Sequence, residues 1–229
     1  MKISSINYGL GDTLILTSIC KYFPNKLTVQ LPPEKQKYSL LFSNLANVEI
    51  CEKDKMTPLP DVGGGHYATR KLRNFFGEVA DRLDNRPLVL YSDHESERWA
   101  FNFLKDKPRP VIVVPTCSKQ WHHDRSMPLD LFNSVIEQCK KEKFTPIVCQ
   151  SSDNALDHSE ISLLDCDLKK YICLLRMVKE YVGVNTGDEH LATSVGCKTT
   201  VFQPNHSASF NRFEWNYNHP NSHYLFWHQ

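Results

Sequence analysis

Two stretches of this sequence combine residue types and spacing that suit chemistry. The first, EYVGVNTGDEHLATSVGCKTTVFQ over residues 180–203, reads as strand, turn, helix, turn and strand. Asn185-Thr186-Gly187 is turn chemistry, and Thr186 or Asp188 can cap a short helix carrying His190, Leu191, Ala192 and Val195. Gly196 suits the position just past that helix. A helix start beyond the carboxyl end of a parallel strand is an anion site, because its N–H groups and dipole meet incoming negative charge. The second stretch, YGLGDTLIL over residues 8–16, puts Gly9 and Gly11 in a strand-to-helix turn. Glycines there let backbone approach a ligand closely. GxG alone is a weak signal, the full dinucleotide fingerprint is absent, and without further context the segment is a tight turn with Asp12 as N-cap.

Other reactive residue types have plainer readings. Trp121-His122-His123-Asp124 invites a metal, but adjacent histidines in one loop rarely reach one ion, and no second His/Cys pair has ligand spacing. No metal or other cofactor is therefore expected. Cys117 and Cys149 follow strands and read as packing rather than as nucleophiles. Arg70, Lys71 and Arg73 are placed on the solvated side of a helix, with the holding of an acidic acceptor as the other reading. Phe210, Phe213, Trp215, Tyr217, Tyr224, Phe226 and Trp227 form an aromatic tail without clear periodicity. Such a tail packs across a domain interface or stacks on bases or sugars, and its Arg212 can approach a phosphate.

The elements that must position these residues alternate between strand and helix. In the first half, strands are expected at 3–7, 26–31, 48–51 and 88–91, with helices at 13–23, 38–45, 66–76 and 95–104. The charged, proline-rich segment 105–110 resembles a linker, which divides the chain into domains 1–107 and 108–229. In the second half, strands at 111–114, 145–150, 181–184 and 198–203 alternate with helices starting at Pro128, Asp167 and near residue 188. Alternation of this kind implies parallel sheets with right-handed crossovers, and two such units place ligands at their strand carboxyl ends.

Composition narrows the class. The 229 residues are 41% hydrophobic with a formal charge of +1, so a packed core is expected and no global field announces a nucleic acid or anionic membrane. Eight cysteines occur singly, without a CxxC pair, as befits free thiols in a reducing compartment. The N-terminus lacks an uninterrupted apolar signal segment, and no run approaches a membrane span of about 20 residues. The expectation is a soluble cytoplasmic protein.

Four segments, covering a little under half of the chain, together resemble the heptosyltransferase-like glycosyltransferases of family 9. They are YGLGDTLILTSICKYF, PVIVVPTCSKQWHHDRSMPLDLFNSVIEQC, FTPIVCQSSDN and NTGDEHLATSVGCKTTVFQP. The resemblance implies a trimmed member with the GT-B fold, two facing Rossmann-like domains with parallel sheets and a cleft between them. It implies an inverting, metal-independent transfer of sugar from a nucleotide-sugar donor to a saccharide or glycolipid-like acceptor. By position, Asp12 would be the general base, with Gly9 and Gly11 admitting the substrates. Thr186, Gly187, Asp188 and His190 would form the donor phosphate site. Arg125 would neutralise the leaving diphosphate, with Lys119 in reserve.

Departures from the family pattern fall in the donor turn. Asn185 stands where the family has aspartate, Gln203 where it has glycine, and Asp188 and Glu189 where it has uncharged residues. Two carboxylates there favour the helix dipole but repel a diphosphate. They motivate a second reading as a non-catalytic nucleotide or nucleotide-sugar binding module. A third reading is a transferase acting on a base in DNA, which local Lys and Arg around 63–73 would favour.

Overall fold

A computed structural model of the chain describes residues 2–4, 10–52, 67–117, 125–178, 180–204, 217 and 220–227. Its contacts divide the chain into two units, Met1–Tyr91 with Ser209–Asn218, and Ser92–Ala208 with His219–Gln229. Each is a mixed α/β structure around a parallel sheet.

In the first unit, strands β1 (Lys2–Ser4), β2 (Leu27–Leu31) and β3 (Val48–Glu52) pair in parallel in that order. Helix α1 (Leu10–Cys20) crosses from β1 to β2. It begins earlier than its sequence suggests, so Asp12 lies inside the first turn and is not the N-cap. A carboxylate at that place still complements the helix dipole. Thr13 through Cys20 are all buried, which makes α1 a core helix rather than a surface one. Its far end is held firmly: Asn47 Nδ2 donates to the Phe23 carbonyl at 2.7 Å, and Lys21 Nζ to the Arg86 carbonyl at 2.7 Å. The Phe23 ring meets Phe75 of α2 (Tyr67–Phe76) at 5.0 Å between centroids.

Three sequence expectations fail in this unit. The helix placed at 38–45 is a 3-10 helix, Pro33–Phe42, started early by the fixed φ of Pro33. Residues 88–91 are not assigned to a strand among the described residues: Val89 is buried, but Leu88 and Leu90 are exposed. Lys71 is buried, not solvated, because it shares the inward face of α2 with Ala68 and Leu72.

The second unit contains a six-stranded parallel sheet of order β6-β5-β4-β7-β8-β9. Its strands are β4 (Pro110–Val114), β5 (Thr145–Gln150), β6 (Ile161–Leu164), β7 (Glu180–Val184), β8 (Lys198–Pro204) and β9 (Ser222–Trp227). Helix α3 (His94–Leu104) belongs here, packed along α5 (Leu168–Met177), with Lys170 Nζ 5.4 Å from the Trp99 ring centroid. The two units thus part between Tyr91 and Ser92, ahead of the proline-rich segment where composition alone puts the division.

One face of this sheet is covered by α4 (Leu129–Lys141), started by Pro128 at its N-cap. Phe132, Val135, Ile136 and Cys139 of α4 pack with Val111, Val113, Val148, Val182 and Val184 of the central strands. Leu129, apolar at the start of α4, is exposed. Trp227 of β9 joins the same core. Strands β6 and β9 are absent from the sequence reading, β6 because its pattern is mostly exposed and β9 because it lies in the tail.

Candidate functional site

The strand order reverses direction between β4 and β7: the chain builds outward from β4 through β5 to β6, then returns to β4's other side. At such a switch point the loops leaving neighbouring strands diverge, and a crevice opens outside the strand carboxyl ends. Here the switch point is flanked by the described parts of the loop after β4 and by the turn between β7 and α6 (Gly187–Ser194).

The turn after β7 is locally well determined. Gly183 pairs with Val114 across the two central strands, and a Cβ on it would lie 2.8 Å from the Val114 carbonyl oxygen. The Tyr181 ring fills the remaining space over Gly183, and its hydroxyl donates to the Val184 carbonyl at 3.2 Å. Thr186 then caps α6, its Oγ1 accepting from the Asp188 N–H at 3.2 Å. At the other end the Cys197 N–H reaches the Ala192 carbonyl and the Gly196 N–H that of Thr193, with Gly196 at φ +81°. This is the Schellman arrangement expected of a glycine stop. Once Thr186 has capped Asp188, the N–H groups of Gly187 and Glu189 have no hydrogen-bond partner among the described residues. Two oriented donors at the positive end of a helix are suited to anionic oxygens.

The two carboxylates of this helix start turn inward. Asp188 faces Tyr171 of α5 and Cys149 of β5, and burial raises its pKa against the opposing hydrogen bond from Thr186. Glu189 is fully buried. Asn185 Nδ2 donates to its Oε2 at 2.9 Å, and the Tyr224 hydroxyl of β9 to its Oε1 at 2.9 Å. Burial pushes the Glu189 carboxyl up to about 8, with the Tyr224 hydrogen bond pulling the other way. Burial thus favours the protonated form of Glu189, which lessens the repulsion it would exert on a phosphate.

Across the switch point, the loop after β4 is pinned at both ends of its described parts. The Cys117 N–H donates to Ser126 Oγ at 3.2 Å and the Met127 N–H to the Pro115 carbonyl at 2.8 Å. Asn154, in the turn after β5, donates to the Cys117 carbonyl. These bonds hold Arg125, half-buried beside Ser126, near the carboxyl end of β4. Cys117 and Cys149 are both buried, and burial raises the Cys149 thiol far above its usual range, as packing cysteines require.

No family model matches the sequence, and no curated protein does so either. Solved structures do match. The ADP-heptose lps heptosyltransferase II of E. coli superposes with a TM-score of 0.69 at 12% identity, over 98% of this chain and 89% of that one. The family 9 glycosyl transferase from Veillonella parvula gives a TM-score of 0.74 at 10% identity, over 100% of this chain and 85% of that one. The chain has the heptosyltransferase fold. A third structure, E. coli heptosyltransferase WaaC with ADP, gives 0.58 at 12% identity, over 98% of this chain and 92% of that one. The family that the sequence motifs resemble is thus also the family of the structural neighbours.

Within this heptosyltransferase fold, the structure gathers Thr186, Gly187, Asp188 and His190 at one helix start in the second unit. Arg125 belongs to the same unit, on the loop across the switch point. Gly11 and Asp12 lie in the first turn of α1 in the first unit. Gly9, Lys119, the His122-His123 pair and, from the aromatic tail, Phe210, Arg212, Phe213 and Trp215 lie outside the described residues. His190 is buried, with Nδ1 3.9 Å from Glu189 Oε2. Tyr224, named in the sequence only as part of the aromatic tail, supports the site through Glu189, and Ser126 and Asn154 support it without being singled out from the sequence. Their only signal there was polarity just beyond, or within, an apolar run.

Proposed function

We infer that this chain is a glycosyltransferase that moves a sugar from a nucleotide-activated donor to an acceptor hydroxyl, using two Rossmann-like domains in the GT-B manner. One observation carries the reading: a capped helix start with two unbonded N–H groups sits at the switch point of a chain with the heptosyltransferase fold. Among the neighbours, one is named for ADP-heptose and another was solved with ADP, which supports a nucleoside diphosphate as the donor's leaving group.

In the mechanism we favour, donor phosphates meet Thr186 and the N–H groups of Gly187 and Glu189. The Asp12 carboxylate takes the proton of the acceptor hydroxyl. The acceptor oxygen bonds to the anomeric carbon as the bond from that carbon to the phosphate oxygen breaks, inverting the centre in one displacement. Arg125 offsets the charge that develops on the departing diphosphate, the task a metal performs elsewhere. The acceptor is a saccharide or glycolipid-like hydroxyl. Burial, which disfavours the ionised forms of Asp188 and Glu189, supports a phosphate beside them.

The test is incubation of the whole chain with a panel of nucleotide sugars and saccharide or glycolipid acceptors, with and without chelator. Nucleoside diphosphate release, product mass and anomeric configuration are the readouts. Chelator-insensitive transfer with inversion is expected. Nucleotide binding without turnover of any nucleotide sugar would make the chain a binding module instead.

A further inference from the structure

The last strand of the sheet reaches the helix start through one side chain. Tyr224 stands near the middle of β9, at the sheet edge, paired in register with Val201 of β8. Its hydroxyl crosses to Glu189 Oε1 at 2.9 Å, while Asn185 Nδ2 holds Glu189 Oε2 at 2.9 Å. One buried carboxyl therefore receives a donor from the turn before α6 and another from a strand far along the chain. This arrangement clamps the Asn185–Glu189 turn, whose N–H groups make up the anion site, against the edge of the sheet.

We propose that Tyr224 is a positioning residue for the nucleoside-diphosphate site, acting through Glu189 to hold the start of α6 in place and to set whether a negative charge lies beneath the bound phosphates. Tyr224 touches no phosphate in this role, which rests on the transferase reading of the site. The titratable groups facing Glu189 are Tyr224 from β9, Tyr181 from β7, and Asp188 and His190 from α6 itself; behind Asp188 stand Tyr171 of α5 and Cys149 of β5. No lysine or arginine is among these groups. Among the described residues, ionisation of Glu189 therefore leaves a charge that the Asn185 and Tyr224 hydrogen bonds offset, with His190 Nδ1 3.9 Å away, close below the phosphate oxygens. The Tyr224 hydroxyl stabilises that ionised form, because it donates to the carboxylate. Removing the hydroxyl while keeping the ring makes Glu189 hold its proton to higher pH.

The experiment measures ADP binding by calorimetry from about pH 7 to about pH 9, spanning the Glu189 transition, for the whole chain, Tyr224→Phe and Glu189→Gln. In the wild type, affinity is expected to fall on the order of tenfold as Glu189 ionises. Tyr224→Phe should move that fall upward by about one pH unit, and Glu189→Gln should abolish it. Coincident profiles for wild type and Tyr224→Phe overturn the proposal. A carbon-13 NMR titration of the Glu189 carboxyl, assigned by its loss in Glu189→Gln, separates this failure from failure of the transferase reading. If the wild type binds no nucleoside diphosphate at any pH, the transferase reading falls, and the NMR midpoint then decides for Tyr224. An unmoved midpoint in Tyr224→Phe refutes its hold on Glu189, and an upward move supports it.

Discussion

The hydroxyl of Tyr181 occupies the place that a side chain on Gly183 would take. A Cβ built there lies 2.6 Å from that oxygen, and the Val114 carbonyl closes the other side at 2.8 Å. The central strands β4 and β7 can therefore approach at the switch point only with glycine at this position, and the turn to α6 inherits its starting place from that approach. Gly183→Ala should destabilise the fold by about 1–3 kcal/mol through overpacking. Urea denaturation gives the figure. Tyr181→Phe added to Gly183→Ala should not restore it, since the Val114 carbonyl remains in the way.

Thr186→Ala removes the acceptor that caps the Asp188 N–H. Loss of an N-cap of this kind costs about 0.5–2 kcal/mol. The same variant should also weaken nucleoside diphosphate binding, since the helix start frays where the phosphates are proposed to sit. A stability loss in that range with unchanged ADP affinity, measured by calorimetry, would place the ligand elsewhere.

Stability should fall as pH rises through the range set by Glu189. The unfolded chain releases this proton near 4.5, whereas the folded chain keeps it to about 8. Between those values the native state carries the extra proton, so each pH unit upward costs up to about 1.4 kcal/mol, and the loss levels off above the folded value. Glu189→Gln should remove this contribution. Chemical denaturation of both proteins across the range tests it, and parallel profiles would show that Glu189 is not the source.

Asp12→Asn should lower turnover by about 10²–10⁴-fold while leaving nucleoside diphosphate affinity nearly unchanged, as expected of a general base that does not hold the donor. Arg125→Ala should lower kcat by about 10²–10³-fold through weaker stabilisation of the leaving diphosphate. Assays of diphosphate release beside binding isotherms separate the two roles. Equal loss of binding and turnover in Asp12→Asn would remove it as the base.

Elements with strong local signals were legible in the sequence. Strand β7, the Thr186 cap, the Gly196 stop and the Pro128 entry to α4 each follow from a few neighbouring residues. The same holds for the positive end of α6, since a cap and a dipole are local properties. Strands β6 and β9 were not legible, because edge strands expose much of their length and lack the apolar run that marks β4 or β7. Lys71 was misplaced for a related reason: charge suggests solvent, but the face of α2 that turns inward is decided by its neighbours.

Sequence by itself thus determined an alternating α/β chain with parallel sheets, and named Thr186, Gly187 and Asp188 as residues of a capped helix start. Only the tertiary structure decided what Asp188 and Glu189 mean there. In the sequence they are two negative charges at a proposed phosphate site. In the fold one faces α5 and β5, and the other lies buried between Asn185 and a tyrosine from β9. Charge is a property of the environment as much as of the residue: burial, a long-range packing outcome, raises the cost of ionising both carboxyls.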